Sequence, residues 1–412
     1  MTTLATQHQN AAADPGQNVW LVANAGSGKT KVLTDRVARL LLRGVDPQNI
    51  LCLTYTKAAA AEMQNRLFKR LGAWAMAPEA ELVTNLTDLD EAAALAPDRL
   101  ARARQLFARA IEAPGGIRIQ TIHSFCASLL RRFPLEAGVS PAFTEIDDRS
   151  AALLRAEIFD AMAEGPEAPL LRAVLPDVGE ETEGFIAQIV GNRAALARAP
   201  KPEALAATFG LSPDLNEAAL EAEVYLGGEA TILSALVAAM QKGSESEAKT
   251  AARLAALAPY VPGPALSEML EGLLLTGKAA KQPFSAKIGS FPNKDTRAAL
   301  GTMLDQLNAL MQRVESARPR RLALAALRQS ARLHAFAEAF LTRYEAAKSA
   351  RGWLDFDDLI LRATALLTDP SVAPWVLYRL DGAIDHVLVD EAQDTSPAQW
   401  RIIEALTAEF TA

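Results

Sequence analysis

Cysteine is nearly missing from this 412-residue chain: only Cys52 and Cys126 occur, each among apolar neighbours. Two thiols make neither a disulfide scaffold nor, by themselves, a zinc site, so buried reduced cysteines and a cytoplasmic setting are expected. Histidine is as sparse, and His8, His123, His334 and His386 are too scattered for a metal cluster to be read from their spacing. No apolar run approaches the roughly 18 residues of a membrane span, so no membrane partner is expected. Residues Met1 to Pro15 are polar and lack the basic, apolar, small-residue order of a secretion signal. A basic excess is also missing. Lys plus Arg number 42 against 49 Asp plus Glu, a formal net charge of −7. That is not the signature of a protein that coats nucleic acid, although a local basic track needs only a few cations on one surface.

Half of the chain is hydrophobic and 22% is charged, the balance of a soluble globular protein long enough for more than one core. Short aliphatic or β-branched runs at 19–23, 50–54, 117–121 and 386–390 predict strands, each followed by helical sequence. From Thr30 to Leu42, Val32, Leu33, Val37, Leu40 and Leu41 share one helical face. From Ala58 to Leu71, Met63, Leu67 and Leu71 do the same. Strands alternating with helices predict an α/β fold with a parallel sheet and working loops at its carboxyl ends. Between 146 and 351 strand signals fade and alanine- and leucine-rich amphipathic stretches such as 229–241 and 323–349 take over. This predicts a mainly helical domain inserted into a lobe made of 1–145 and 352–412. Gly352 is expected to end its last helix. Asp355 is expected to cap a return helix with Phe356, Leu359, Ile360, Ala363, Leu366 and Leu367 on one face. A smaller helical insert is expected at 73–115, bracketed by Pro78, Pro97, Pro114 and Gly115-Gly116.

Two distant segments carry the chemistry. Ala23-Asn24-Ala25-Gly26-Ser27-Gly28-Lys29-Thr30 follows the apolar run Val19 to Val22, read as a buried strand. Its glycines let backbone N–H groups converge on an anion at a helix N-terminus. Lys29 would reach the β- and γ-phosphates and the Thr30 hydroxyl would bind Mg²⁺. The strict phosphate-loop pattern has Gly where Ala23 stands, and a glycine-rich turn before an ordinary helix would explain Gly-Ser-Gly-Lys-Thr alone. Val387 to Val389, however, form another apolar run that ends in Asp390-Glu391. Asp390 can hold the metal through water while Glu391 polarises the attacking water. Together the two halves predict a nucleoside triphosphatase site.

Two further segments suit a nucleic-acid backbone. Thr54, Tyr55, Thr56 and Lys57 lead from a strand into a helix and supply hydroxyls, a ring and a cation. Thr121-Ile122-His123-Ser124-Phe125 follows the 117–121 strand in the same way. Taken singly, Tyr55 and Phe125 could as well be core, and His123 and Ser124 ordinary loop groups. Their order and spacing with the phosphate loop resemble the superfamily 1 helicases of the UvrD/RecB kind. That resemblance implies a RecA-like ATP-binding lobe (1A) with a helical insertion (1B). It also makes Ala23 normal for the loop and assigns adenine reading to Gln9, with Gln7 as the fallback. It places single-stranded DNA on Thr54, Tyr55, Thr56, Lys57, His123, Ser124 and Phe125, and it gives Gln393, in Asp390-Glu391-Ala392-Gln393-Asp394, γ-phosphate sensing. Leu354-Asp355-Phe356-Asp357-Asp358-Leu359 and the Ser124-to-Gly138 stretch narrow the resemblance to AddA helicase–nuclease subunits of the alphaproteobacterial form.

The resemblance implies ATP and Mg²⁺ as cofactors, 3′–5′ translocation in double-strand-break repair and recombination, single-stranded and duplex DNA ends as substrates, and an AddB-like partner subunit. Family members need a second RecA-like lobe that supplies cations to the transferring phosphoryl group. No later helicase motif or nuclease domain follows before Ala412, so the chain is expected to be the N-terminal part of a longer polypeptide, with weak turnover by itself. Arg318, Arg320 and Arg321 would be the first cations to examine if turnover proved brisk. Lys278, Lys281, Lys287, Lys294 and Arg297 form a basic stretch that is either a solvated loop or a duplex contact. The alternative functional reading is a P-loop ATPase or nucleotide switch acting on a protein, or a non-hydrolysing ATP- and DNA-binding module.

Overall fold

The computed structural model describes residues 4–22, 28–89, 97–113, 116–179, 181–380 and 384–408. The chain is mainly helical with a small parallel sheet, and it divides into two compact units, Met1–Leu153 with Ala346–Ala412, and Leu154–Glu345.

In the first unit, α1 (Leu4–Ala12) and α2 (Lys29–Arg43) precede β1 (Ile50–Thr54). Then follow α3 (Lys57–Met76), α4 (Glu79–Leu89), α5 (Pro97–Glu112), β2 (Arg118–Thr121) and α6 (Ile122–Arg132). After the helical unit the chain returns through helix Phe356–Thr368, helix Ala373–Leu380, a strand at His386–Val389 and helix Pro397–Thr407. The two crossings between units are tied by a short parallel pair, β3 (Thr144–Glu145) and β4 (Trp353–Leu354), which makes His386–Val389 β5. The main sheet has the order β2-β1-β5, all parallel.

β1 is buried along its whole length because helices cover both faces. Its side chains alternate between two cores. Ile50 and Cys52 join Val37, Leu41, Leu67, Leu71 and Leu106 on one face, whereas Leu51 and Leu53 join Ile122, Leu130, Leu359, Leu366 and Ile402 on the other. Burial pushes the thiols of Cys52 and Cys126 up to about 12, so both remain protonated and inert. Leu82, Leu86, Leu89, Ala103, Leu106 and Ala110 of the 73–115 stretch lie in the same core as α2 and α3.

One strand expectation fails. Val19 to Val22, read as a buried strand, have no ladder partner, and all four side chains are exposed, Trp20 at 71% and Val22 at 83%. Just before this run Arg36 donates to the carbonyls of Asp14 (2.6 Å) and Gln17 (2.5 Å), and within it Trp20 stacks on Trp400 with centroids 6.0 Å apart. β5 therefore pairs only with β1 among the described residues.

The Leu154–Glu345 unit is helical around a core that includes Leu233, Leu236, Leu270, Leu274, Leu307 and Leu310. Its 229–241 stretch forms helix Glu229–Met240, and 323–349 lies within the 49-residue helix Met303–Arg351, whose last turn belongs to the first unit. Lys287 of the basic stretch donates to the carbonyl of Leu273 (2.8 Å) at the end of helix Pro264–Leu274, a local helix-capping role. Arg318 and Arg321 pair with Glu271, and Arg320 with Glu223. These three cations are engaged within the helical unit. Among the described residues no single helix is long and apolar enough to cross a membrane. One bent pair, Glu217–Val224 with Glu229–Met240, passes by length and composition, and its Leu220, Val224, Leu233 and Leu236 are buried in that unit's core.

Candidate nucleotide site and strand-end surface

The parallel register brings three distant segments together. Leu53 lies opposite Gln120 on one side and Val389 on the other, and the ladder extends by one bond from the Asp390 N–H to the Leu53 carbonyl (2.8 Å). The carboxyl ends of β1, β2 and β5 thus present Tyr55 to Lys57, Thr121 to Ser124, and Asp390 to Gln393 along one edge.

At the β5 end the backbone turns sharply. Glu391 adopts φ +53, a left-handed conformation rare for a side chain of this kind, and its N–H donates to the Asp390 carboxylate (3.0 Å). The turn aims the Glu391 carboxylate at Lys29, with Nζ 3.7 Å from Oε2. Gln393 donates to the same carboxylate and also reaches Asp394 (3.5 Å). Burial, reinforced by the neighbouring Glu391 charge, pushes the Asp390 carboxyl above its ordinary value, while its bond from the Glu391 N–H and the charge of Lys29 oppose the shift. A carboxylate held in this way favours a cation beside it. No group of three or more metal-ligating side chains occurs among the described residues. Mg²⁺ leans on one or two protein oxygens and keeps several waters, so a single carboxyl in this setting meets its donor chemistry.

Lys29 opens α2, whose N-cap is Gly28 at φ +89. Its positive φ favours glycine, and a Cβ there would also crowd Gln9 Nε2, 3.1 Å away, which would have to shift slightly. Two arginines that sequence reasoning missed hold α1 there. Arg36 donates to the carbonyls of Ala12 and Asp14, and Arg39 donates to the Asn10 carbonyl (2.8 Å) and to that of Leu89. The available signal was arginine recurring three residues apart beside the apolar stripe of α2. Ala23, Asn24, Ala25, Gly26 and Ser27, the rest of the expected phosphate loop, lie outside the described residues. A cleft of about 1000 Å³ runs from Val19–Val22 past Lys29 and Arg36 to Asp390, Glu391 and Gln393.

The residues expected to touch DNA divide into two groups. Tyr55 is 53% exposed, Lys57 is exposed, and Thr56 caps α3 by accepting from the Ala59 N–H (3.0 Å). His123 and Ser124 are half-buried in the first turn of α6, which Thr121 caps by accepting from the Ser124 N–H (3.2 Å). His123 meets the Phe356 ring at 5.4 Å, and burial lowers its pKa against the opposing charges of Asp357 and Glu145. Phe125 and Thr54 are corrections. Phe125 is 4% exposed within the core with Leu53 and Leu129, so its ring offers no face to a base. Thr54 is 3% exposed and donates its hydroxyl to the Thr56 carbonyl (3.1 Å), which turns the chain into α3.

The family described as the UvrD/REP helicase N-terminal domain matches residues 4–412. The chain is also similar to proteins named as the A subunit of an ATP-dependent helicase/nuclease. It is 30% identical to that of Desulforudis audaxviator over 96% of this chain and 33% of the relative, and 24% identical to that of Lactiplantibacillus plantarum over 99% and 34%. With the Enterococcus faecalis protein it shares 34% identity over 37% of this chain and 11% of the relative. The chain spans about a third of the length of the two relatives it matches end to end.

Proposed function

The chain belongs to the UvrD/REP helicase family, and we propose that it is the ATP- and DNA-binding part of an ATP-dependent DNA helicase of the AddA kind. In this reading 1–145 and 352–412 form the RecA-like lobe and 146–351 the 1B insertion. The full protein would move 3′–5′ on single strands from duplex ends in double-strand-break repair, with an AddB-like partner.

The observation that carries the reading is the approach of Lys29 to Glu391, 3.7 Å apart in space and more than 360 residues apart in sequence, beside the half-buried carboxyl of Asp390. Lys29 would bind the terminal phosphates and Gln9 would read the base beside Gly28. Glu391 would take a proton from the attacking water, held in place by Gln393. Mg²⁺, on Thr30 and Asp390, would supply charge neutralisation of the phosphates. Tyr55, Thr56, Lys57, His123 and Ser124, exposed or half-buried at the neighbouring strand ends, would bind the DNA backbone and one base.

The test combines calorimetry with turnover. Glu391→Gln should keep Mg·ATP affinity and lose hydrolysis by about two or more orders of magnitude in the full-length protein. Normal hydrolysis by that variant rejects Glu391 as the base. Absence of salt-sensitive binding of the wild-type chain to a single-stranded oligonucleotide rejects the DNA reading.

A further inference from the structure

Lys348 is 1% exposed, and its ammonium lies 3.0 Å from Asp355 and 2.6 Å from Asp358. The two carboxylates form a reciprocal cap on helix Phe356–Thr368. The Asp358 N–H donates to Asp355 (2.9 Å), and the Asp355 N–H donates to Asp358 (3.0 Å). A cap of this type usually pairs a hydroxyl with one acid. Here two like charges face each other out of water, an arrangement that needs a cation between them. The first residue of the capped helix is Phe356, whose ring is tilted at 59° against His123, 5.4 Å away. His123 stands in the first turn of α6, just after Thr121. Lys348 itself sits in the last turn of helix Met303–Arg351, where the chain re-enters the sheet unit.

We propose that Lys348 is a positioning residue. By bridging the two carboxylates of the Asp355–Asp358 cap it fixes the start of helix Phe356–Thr368, which seats Phe356 against His123 and orients the Thr121–Ser124 segment for single-stranded DNA. The DNA part rests on the function proposed above; the positioning part does not.

Two variants test it in the 412-residue chain. Lys348→Met combined with Asp358→Asn removes the cation together with one of the opposed charges, so the cap is not left with two unpaired carboxylates. Phe356→Leu leaves the triad intact and removes the ring. The chain has only four histidines, so the His123 imidazole resonances can be followed by NMR. Affinity for fluorescein-labelled oligo(dT) and for Mg·ADP is measured in parallel. The expected result is a displaced His123 resonance in both folded variants, oligo(dT) affinity lowered by roughly 2- to 30-fold, and unchanged Mg·ADP affinity. Phe356→Leu calibrates the shift that loss of the ring produces, and an unmoved His123 resonance in the folded Lys348/Asp358 variant overturns the positioning role of Lys348. A displaced His123 with unchanged oligo(dT) affinity overturns its consequence for DNA. If the wild-type chain binds no oligo(dT), the function reading fails instead, and the resonance still decides whether Lys348 and Phe356 seat His123.

Discussion

Tyr55 and Phe125 follow adjacent strands whose ends are in register at Thr54 and Thr121, and the two rings should respond oppositely to truncation. Phe125 is 4% exposed among Leu53, Ile122, Leu129 and Leu130. Truncating it to Ala forfeits about 1.5–3 kcal/mol of transfer free energy, and the cavity left behind raises the total to about 3–5 kcal/mol. Tyr55 is 53% exposed, so Tyr55→Ala should shift stability by no more than about 0.5 kcal/mol. If its ring carries a base, that variant loses about 1–3 kcal/mol of single-strand affinity, roughly a 5- to 150-fold weaker Kd. Urea unfolding followed by fluorescence reads the first quantity, and anisotropy of a labelled oligo(dT) across a salt titration reads the second. Tyr55→Ala binding like wild type at every salt concentration would refute the platform. Phe125→Ala that keeps its stability yet loses DNA would show that the ring leaves the core.

Lys29→Ala should abolish most Mg·ATP binding in calorimetry while costing little stability. The ion pair it breaks is partly exposed on both sides, and such pairs contribute about 0–1 kcal/mol. Unchanged ATP binding in the folded variant rejects the phosphate role. Asp390→Asn removes a carboxyl whose folded pKa is raised above 3.8. In the window between 3.8 and the raised value the native state binds more protons than the unfolded state. Asp390's contribution is therefore present below 3.8 and lost as pH rises through the folded pKa. At neutral pH without Mg²⁺ the Asn variant should equal or exceed wild-type stability in urea, while Mg²⁺-dependent nucleotide binding falls. A destabilised metal-free variant refutes the argument. His123 and His386 shift the other way, both lowered below 6.5 by burial. Their contribution is full above 6.5 and lost as pH falls through the folded values, so replacing both with Gln should flatten the acid limb of the stability profile between those limits.

Much of this arrangement was legible in the residues. Thr30 to Leu42 has one apolar face, and α2 runs over it, from Lys29 to Arg43. β1 spans the residues expected of it, and Asp355 caps the return helix as its position after Gly352 predicts. Phe125 shows where pattern and resemblance conflict. It falls on the stripe of Ile122, Cys126, Leu129 and Leu130, so helical spacing places it inward, whereas the resemblance places it on DNA. Val19 to Val22 failed differently. The outer edge of β5 is open beside it, yet the run makes no ladder there, and Arg36 bonds the Gln17 carbonyl just before it, a contact between segments 19 residues apart. The arginines that seat α1 recur three residues apart beside the apolar stripe of α2, but that spacing does not say which distant carbonyls a guanidinium will bind.

The Lys29–Glu391 pair also bears on how such a site can be ready without being locked. Both side chains are about a third exposed, and a pair of that kind is weak and easily exchanged. In the proposed reading an arriving phosphate takes Lys29 from Glu391 at small cost. That releases the carboxylate to act on water at the moment the cation is engaged elsewhere. Asp390 is different. It is half-buried beside a second carboxylate, so its ionisation is disfavoured until a cation approaches. In the proposed reading the exposed pair accommodates ligand exchange, while the half-buried carboxyl would supply the affinity for metal. The strand-end turn at Glu391, with its left-handed backbone, sets the directions of the two adjacent carboxylates, and in the proposed reading it would keep them on these separate tasks.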